Sequence, residues 1–217
     1  TNTMALTANG RYLYFGTLGS GVFRRQAATW TDAYAALPPD TSGASPWAES
    51  EIVEAWALGL ITEDILWAYQ SPVTREEFCE LAVLLWEKLT GREAQPVSPN
   101  PFTDTSNPAI LKALGLGITA GVSPTRFAPA NRITRQEMSV MLYRALEAAG
   151  LNPDVSVTGV PAFVDQRQIA PWAVTQVRFC YAHGIMKGVA PNTIGPLGNT
   201  TREQAICLVK RTYESLR

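Results

Sequence analysis

The chain has 217 residues, of which 46% are apolar and 17% charged, and its formal net charge is −1. This composition is ordinary for a folded protein and too apolar for intrinsic disorder. A net charge so close to zero gives no indication of a broad electrostatic surface for nucleic acid or acidic membranes. The apolar runs are also far shorter than the roughly 20 residues that a membrane-spanning helix needs.

The first 45 residues differ in pattern from the rest of the chain. The chain starts at Thr1 without a methionine, and we expect it to be a processed or excised piece of something longer. The stretch RYLYFGTLGSGVFRR alternates and carries Gly16, Gly19 and Gly21, which predicts a β-hairpin. It is similar to hairpins that close the blades of β-propellers. Residues 1–45 are therefore either the tail of an upstream domain or a small strand pair packed on the helices.

A nine-residue motif then occurs three times. It reads VTREEFCEL from Val73, ITRQEMSVM from Ile133 and TTREQAICL from Thr200. Counted from the threonine before the arginine, apolar residues recur at positions +4, +7, +8, +11 and +12, with Thr212 as the exception. This spacing predicts three amphipathic helices.

A Gly-Leu or Gly-Ile pair precedes each motif by 15 or 17 residues, at Gly59, Gly117 and Gly184. Apolar residues spaced before each glycine predict another helix, which the glycine ends. The predicted helices are 47–59, 74–90, 108–116, 134–149, 171–183 and 201–216. We expect a mainly α fold, because three helix-loop-helix repeats that share an apolar centre can enclose a core that one repeat cannot. The expected repeats are 46–95, 100–150 and 160–217.

Each motif also has the residues of a capping box, in which a threonine and a residue three positions later satisfy each other's backbone N–H groups. The pairs are Thr74 with Glu77, Thr134 with Glu137, and Thr201 with Gln204. Capping of the helix therefore accounts for the threonine and for the glutamate or glutamine three positions later, without any binding function.

The arginines of the motif, Arg75, Arg135 and Arg202, are not explained by capping. A cation in the first helical turn faces the positive end of the helix dipole, which is mildly unfavourable. The repeated position leaves two interpretations open. Each guanidinium either binds a carboxylate or phosphate of a ligand, helped by the free N–H groups of the helix start, or pairs with a glutamate of a neighbouring repeat.

Two tryptophans, Trp47 and Trp172, occupy matched positions at predicted helix starts. An indole face can stack on a sugar ring while its N–H donates a hydrogen bond. Filling of the core is the commoner role of tryptophan, and the sequence favours it for both.

The cysteines Cys79, Cys180 and Cys207 are odd in number and lie in helical patterns, so we expect buried free thiols. His183 is the single histidine and lies three residues from Cys180, without further residues that would complete a zinc site. No catalytic set and no nucleotide-binding loop can be argued. We therefore expect neither an enzyme nor a cofactor.

The second repeat, FTDTSNPAILKALGLGITAGVSPTRFAPANRITRQEMSVMLYRAL, resembles the surface-layer homology domain. It carries the family's Phe-x-Asp opening (Phe102, Asp104), a loop glycine (Gly121), Phe-x-Pro (Phe127, Pro129) and the Thr-Arg-x-Glu helix start. The third repeat has a matching Phe-x-Asp, then PWAV, HGIMKG and TREQ. The resemblance extends over roughly residues 46–217 as three tandem domains.

The resemblance implies one pseudo-threefold unit with the motif helices at its centre. It also implies grooves between repeats that bind a secondary cell wall polysaccharide, linked to peptidoglycan and often ending in pyruvylated N-acetylmannosamine. Such a module would lie outside the cell, at the bacterial surface or wall, and would anchor an upstream cargo domain. The candidate ligand-binding residues are Arg75, Arg135, Arg202, Trp47, Trp172, Gly121, Gly188, Glu77, Glu137 and Gln204.

The three repeats depart from the family in different ways. The first has ITEDILWAYQSPVTREE in place of the glycine-rich loop, the third has NTIGPLGN in place of the loop phenylalanine, and the second lacks the tryptophan. We expect one or two working grooves, first those with Arg135 and Arg202. The alternative is a structural or protein-interaction module that kept the fold and lost glycan binding.

Overall fold

The computed structural model describes residues 6–8, 12–17, 21–26, 38–156 and 159–216. Within these residues the protein is mainly α, as predicted. The α-helices are α1 (Glu49–Ala57), α2 (Arg75–Thr90), α3 (Pro108–Gly115), α4 (Arg135–Ala148), α5 (Val174–Ala182) and α6 (Arg202–Glu214). Short 3-10 helices span Glu63–Ile65, Gln166–Gln168 and Pro171–Ala173. Each predicted helix is present, and α5 starts later than predicted because its first turn is the 3-10 helix at Pro171.

The described residues of the N-terminal segment form three short strands: β1 (Leu6–Ala8), β2 (Tyr12–Thr17) and β3 (Gly21–Gln26). They form an antiparallel sheet in the order β1-β2-β3, with Phe15 opposite Phe23 in the central pair. Strands β2 and β3 correspond to the predicted hairpin, and β1 adds a strand that the sequence pattern did not predict. Strand β3 contacts α1.

The three motif helices, α2, α4 and α6, are tied together in a closed circle. The first two backbone N–H groups of each donate to carbonyls of the loop in front of another motif helix. Helix α2 uses the loop before α4, α4 the loop before α6, and α6 the loop before α2. The bonds are Arg75 to Asn131 (2.8 Å), Glu76 to Pro129 (3.1 Å), Arg135 to Gly198 (3.1 Å), Gln136 to Pro196 (3.0 Å), Arg202 to Ser71 (2.9 Å) and Glu203 to Tyr69 (2.9 Å).

The helices that pack side by side are not the two helices of one sequence repeat. Helix α2 packs on α3, α4 on α5, and α6 on α1, so each motif helix is covered by the first helix of another repeat. Helix α2 also contacts both α4 and α6. The helical region thus closes on itself where the first and last helices of the described residues meet, and no repeat has a core of its own.

The predicted apolar stripes of the motif helices lie in one continuous core. The stripe residues of all three helices are buried, including Phe78, Leu142 and Val209. Thr212, the exception in the pattern, is also buried, and its hydroxyl donates to the carbonyl of Leu208 at 2.7 Å. A polar residue is therefore tolerated in the stripe because its own helix satisfies the hydroxyl.

The cysteines are buried free thiols, as predicted. Burial raises the pKa of Cys79, Cys180 and Cys207 to about 12, because an apolar surrounding disfavours the thiolate. They fill the core as small apolar side chains and remain protonated at neutral pH.

Candidate functional site

The capping boxes predicted from the sequence are formed at all three motif helices. Each threonine hydroxyl accepts the N–H of the residue three positions later, and that residue's side chain accepts the threonine N–H. The first two N–H groups of each helix donate to a neighbouring loop, as described above. The helix starts therefore have no free N–H group for an anion, and this part of the expected anion site is wrong.

Arg75 is held by three groups of the second repeat. Its Nη1 donates to Glu137 Oε1 at 3.3 Å, in an ion pair whose arginine is largely buried. Its Nε and Nη2 donate to the carbonyls of Phe127 (3.4 Å) and Ala120 (3.3 Å). The guanidinium carbon also lies 4.9 Å from the centroid of the Phe127 ring, a cation–π contact.

Arg202 is held by similar groups of the first repeat, except that its Nε has no hydrogen-bond partner within the described residues. Its Nη2 pairs with Glu77, and its Nη1 donates to the carbonyl of Trp67 at 3.0 Å. Its guanidinium carbon lies 4.5 Å from the centroid of the Trp67 ring. Arg75 and Arg202 thus follow the interpretation in which the motif arginine pairs with a glutamate of a neighbouring repeat.

Arg135 is the exception among the three. Its Nε donates to the carbonyl of Ile194 at 2.9 Å, and its Nη2 donates to the carbonyl of Lys187. In the part of the chain that the structure describes, no carboxylate pairs with it and Nη1 has no hydrogen-bond acceptor. Burial lowers the pKa of Arg135, and the attraction of Asp165 opposes that effect only in part. The charge is thus left under-compensated.

The difference arises from two residues at repeated positions. Glu77 and Glu137 supply the carboxylates for Arg202 and Arg75, whereas the third motif has Gln204 at that place. Seven residues before each motif threonine stands a residue that faces the arginine: Trp67, Phe127 and Ile194. Arg135 therefore lacks both the carboxylate and the aromatic ring that its counterparts have.

An open cavity of about 520 Å³ lies beside Arg135, which we term the Arg135 groove. It is lined by Trp47, Arg135, Ile185, Met186, Lys187, Gly188, Val189, Gln204, Cys207, Leu208 and Arg211. Arg211 is neutralised by Glu51, to which its Nε donates at 2.9 Å. Lys187 is exposed and forms no ion pair within the described residues. The groove therefore carries two cationic side chains, Arg135 and Lys187, that form no ion pair within the described residues.

Trp47 and Trp172 are exposed, so the prediction that these two tryptophans fill the core was wrong. Trp47 is 51% exposed and lines the Arg135 groove, while Trp172 is 57% exposed and lies outside it. Sequence reasoning also missed Trp67, which is 62% exposed and supports Arg202. Its spacing before the motif threonine, equal to that of Phe127, was the available signal.

The two candidate glycines permit close approaches within their loops. A Cβ at Gly121 would lie 2.4 Å from the carbonyl oxygen of Ser123, and one at Gly188 would lie 2.8 Å from that of Thr193. Gly188 lines the Arg135 groove, whereas Gly121 lines a separate open cavity of about 300 Å³ beside Phe102. The two glycines thus lie at different cavities, and close packing within its own loop accounts for each of them.

The aspartate of each Phe-x-Asp pair stabilises the loop that receives a motif arginine. Asp104 accepts the N–H groups of Phe127 and Ala128, both at 2.9 Å, and these bonds lower its pKa. Asp165 accepts those of Ile194 (3.1 Å) and Gly195 (2.7 Å). The two carboxylates therefore fix the carbonyls to which the arginines donate.

The described residues offer no cluster of three or more histidine, cysteine, aspartate or glutamate side chains that would hold a metal ion. Cys180 is buried, while the exposed His183 lies with Nε2 3.2 Å from the carbonyl of Asp154. Among the described residues, no helix is long and apolar enough to cross a membrane.

Comparison with known proteins gives one matching family. The family model of the S-layer homology domain matches residues 101–139 and 162–206. An endoglucanase of Bacillus sp. (strain KSM-635) is 32% identical over 123 residues, 57% of this chain and 12% of that protein. The surface-layer 125 kDa protein of Lysinibacillus sphaericus is 32% identical over 111 residues, 50% of this chain and 9% of that protein.

A cell surface protein of Thermoanaerobacter kivui is 29% identical over 116 residues, 51% of this chain and 15% of that protein. The matches thus span only about a tenth of the length of these curated relatives.

Proposed function

We propose that the chain, in which residues 101–139 and 162–206 match the S-layer homology domain, is a member of that family and anchors a larger protein non-covalently to the bacterial cell wall. Its similarity to surface proteins, and to short segments of much longer enzymes, supports an extracellular location at the cell surface or wall. The cargo would be an upstream domain, which these residues do not identify. The proposed repeats are 46–95, 100–150 and 160–217.

The proposed ligand is an acidic secondary cell wall polysaccharide, with pyruvylated N-acetylmannosamine as the sugar whose carboxylate would fit best. One observation carries this proposal: Arg135 is largely buried, lacks a carboxylate partner in the described residues, and lines an open groove. A buried arginine without a counter-ion is costly, and a bound carboxylate would remove that cost.

The proposed mechanism is recognition without any chemical step. Arg135 Nη1 and the exposed Lys187 would bind the carboxylate. The exposed face of Trp47 would stack on the sugar ring, an arrangement that suits indole. Gly188 allows the loop that lines the groove to pack tightly, since a Cβ there would lie 2.8 Å from the carbonyl oxygen of Thr193.

The other two arginines have a structural role in this proposal. Arg75 forms an ion pair with Glu137, and Arg202 forms one with Glu77, so neither arginine would offer an unpaired cation to a ligand. We therefore propose a single working groove. Repeated polymer ends on one sacculus would add avidity when several copies are anchored together.

The alternative function is a structural or protein-interaction module. The ion pairs of Arg75 and Arg202 favour this alternative for the two grooves that contain them. Sedimentation with purified sacculi separates the two functions. Binding should occur before the accessory polymer is stripped and disappear afterwards. Binding that survives stripping unchanged would instead support a protein or peptidoglycan partner.

The site itself is tested by Lys187→Ala and Arg135→Ala. A hydrogen bond to a charged group contributes roughly 1.5–3 kcal/mol, so we expect Arg135→Ala to weaken polymer binding about 10- to 100-fold. Arg135→Ala also leaves two carbonyls without donors, so affinity is referred to the folded fraction measured by circular dichroism. Lys187 is exposed, and its removal should weaken binding while the melting temperature stays the same.

The matched control is Arg144→Ala, because Arg144 lies exposed on the same helix as Arg135 and outside the groove. It should bind as the wild type does. Equal loss of binding in Arg144→Ala would mean that overall charge, rather than the groove, drives attachment.

A further inference from the structure

We propose that Gln204 determines which groove accepts a ligand, because it leaves Arg135 unpaired where a glutamate would neutralise it. The inference deepens the anchoring function proposed above and rests on it for its ligand. It assigns a selecting role to a residue that the sequence places both in a helix cap and among the candidate ligand-binding residues.

The two glutamate-containing motifs show what this position normally does. Glu137 uses Oε2 to accept the backbone N–H of Thr134 at 2.8 Å and Oε1 to pair with Arg75. Glu77 likewise uses Oε2 for the N–H of Thr74 at 2.9 Å and Oε1 for Arg202. One carboxylate thus caps its own helix and neutralises the arginine of a neighbouring repeat.

Gln204 can perform only the first of these tasks. Its Oε1 accepts the N–H of Thr201 at 3.3 Å, so the amide Nε2 is left in the position of the second carboxylate oxygen. An amide nitrogen is a donor only. Gln204 and Arg135, which line the same groove, therefore both present N–H donors where the other two repeats have a donor and an acceptor.

Two facing donors require an acceptor from outside. The remaining bonds of Arg135 match those of Arg75, since both arginines donate Nε and Nη2 to carbonyls of the facing loop. The unpaired nitrogen is Nη1, whose counterpart in Arg75 binds Glu137. A ligand carboxylate placed between Nη1 and the Gln204 amide would accept from both.

The opposite choice, a glutamate at this position, would exclude such a ligand for two reasons. Its second oxygen would occupy Arg135 Nη1, and its charge would repel the incoming carboxylate. The Arg135 groove would then have the same ion pair as the grooves of Arg75 and Arg202.

The binding experiment compares Gln204→Glu with the wild type on isolated polymer and on a small acidic probe, D-glucuronate, with D-glucose as the neutral control. We expect Gln204→Glu to lose at least about tenfold in polymer affinity, which corresponds to 1.4 kcal/mol or more. Glucuronate should raise the melting temperature of the wild type and not that of the variant. Gln168→Glu adds the same charge at an exposed site of the third repeat and should behave as the wild type.

The second experiment needs no ligand. A glutamate paired with Arg135 has a lowered pKa in the folded state, so its stabilisation is present above the unfolded pKa of about 4.3 and is lost as the pH falls below it. Gln204→Glu should therefore melt higher than the wild type at pH 7 but not at pH 3.5. The gain should vanish when Arg135→Ala is also present.

The outcomes separate the two proposals. Wild-type protein that fails to bind the polymer would overturn the anchoring function and, with it, the ligand assigned to the groove. Wild-type binding that Gln204→Glu retains in full would overturn the role of Gln204 alone. A melting temperature that is unaffected by Gln204→Glu at pH 7, or a gain that persists without Arg135, would also refute the proposed pairing.

Discussion

At the scale of single residues, three arginines with the same sequence context have different partners. Arg75 and Arg202 each meet a glutamate, whereas Arg135 meets carbonyls and an open groove. The local sequence around each arginine is nearly the same, so the distinction lies in the residue that faces it from another repeat. A candidate binding residue is therefore identified by the charge that its surroundings leave unbalanced.

Gly121 is the clearest test of a residue required by close packing. A Cβ there would approach the carbonyls of Ser123 and Arg126 to 2.4 and 2.7 Å. Gly121→Ala should lower the free energy of unfolding by about 1–3 kcal/mol, because rigid backbone would have to move. Gly43→Ala, whose Cβ would have ordinary contact with Tyr69 at 4.0 Å, serves as the control in urea denaturation. Equal stability of the two variants would contradict the stated role of Gly121.

At the scale of elements, each motif helix depends on a loop from another repeat. The loop supplies carbonyls to two backbone N–H groups and to the arginine side chain, and in the second repeat Asp104 fixes that loop. The residues with a left-handed backbone at the equivalent positions, Ala68, Ala128 and Gly195, show that the loop turns in the same way in all three repeats. Helix start and loop therefore form one structural unit contributed by two repeats.

Asp104 makes the stability of this unit dependent on pH. Its folded pKa lies below the ordinary value of 3.8, chiefly because the N–H groups of Phe127 and Ala128 donate to the ionised form. The stabilisation is therefore complete at neutral pH and is lost as the pH falls through and below about 4. Asp104→Asn should melt lower than the wild type at pH 7, and the difference should shrink by pH 3. A constant difference in calorimetric scans across this range would exclude the ionised form as the cause.

At the scale of the whole molecule, the ring of repeats closes between helices α6 and α1. Arg211 pairs with Glu51, Lys210 pairs with Glu54, and Glu203 accepts the hydroxyl of Ser45 at 2.8 Å. Charged groups thus join the beginning and end of the described helical region. This junction also positions Trp47 at the Arg135 groove, so closure of the ring and assembly of the candidate site are linked.

Removal of one ion pair at this junction should weaken the whole fold. Glu51→Ala leaves the half-buried Arg211 without its carboxylate, and we expect a loss of about 1–2 kcal/mol in unfolding free energy. Glu63→Ala removes an exposed carboxylate and should change stability by less than about 0.5 kcal/mol. Guanidinium denaturation followed by tryptophan fluorescence measures both. A single cooperative transition is expected, whereas a separate early transition would show that the first repeat unfolds alone.

The sequence by itself determined the helices, their capping boxes, the buried stripes and the buried thiols. These features depend on neighbours three or four positions apart, and residues such as Thr74 and Glu77 carry that information locally. Only the tertiary structure decided which helices pack together, that Trp47 is exposed, and that Arg135 lacks a counter-charge. Those properties depend on residues far apart in the chain, because the surroundings of a side chain are set by whichever repeat closes over it.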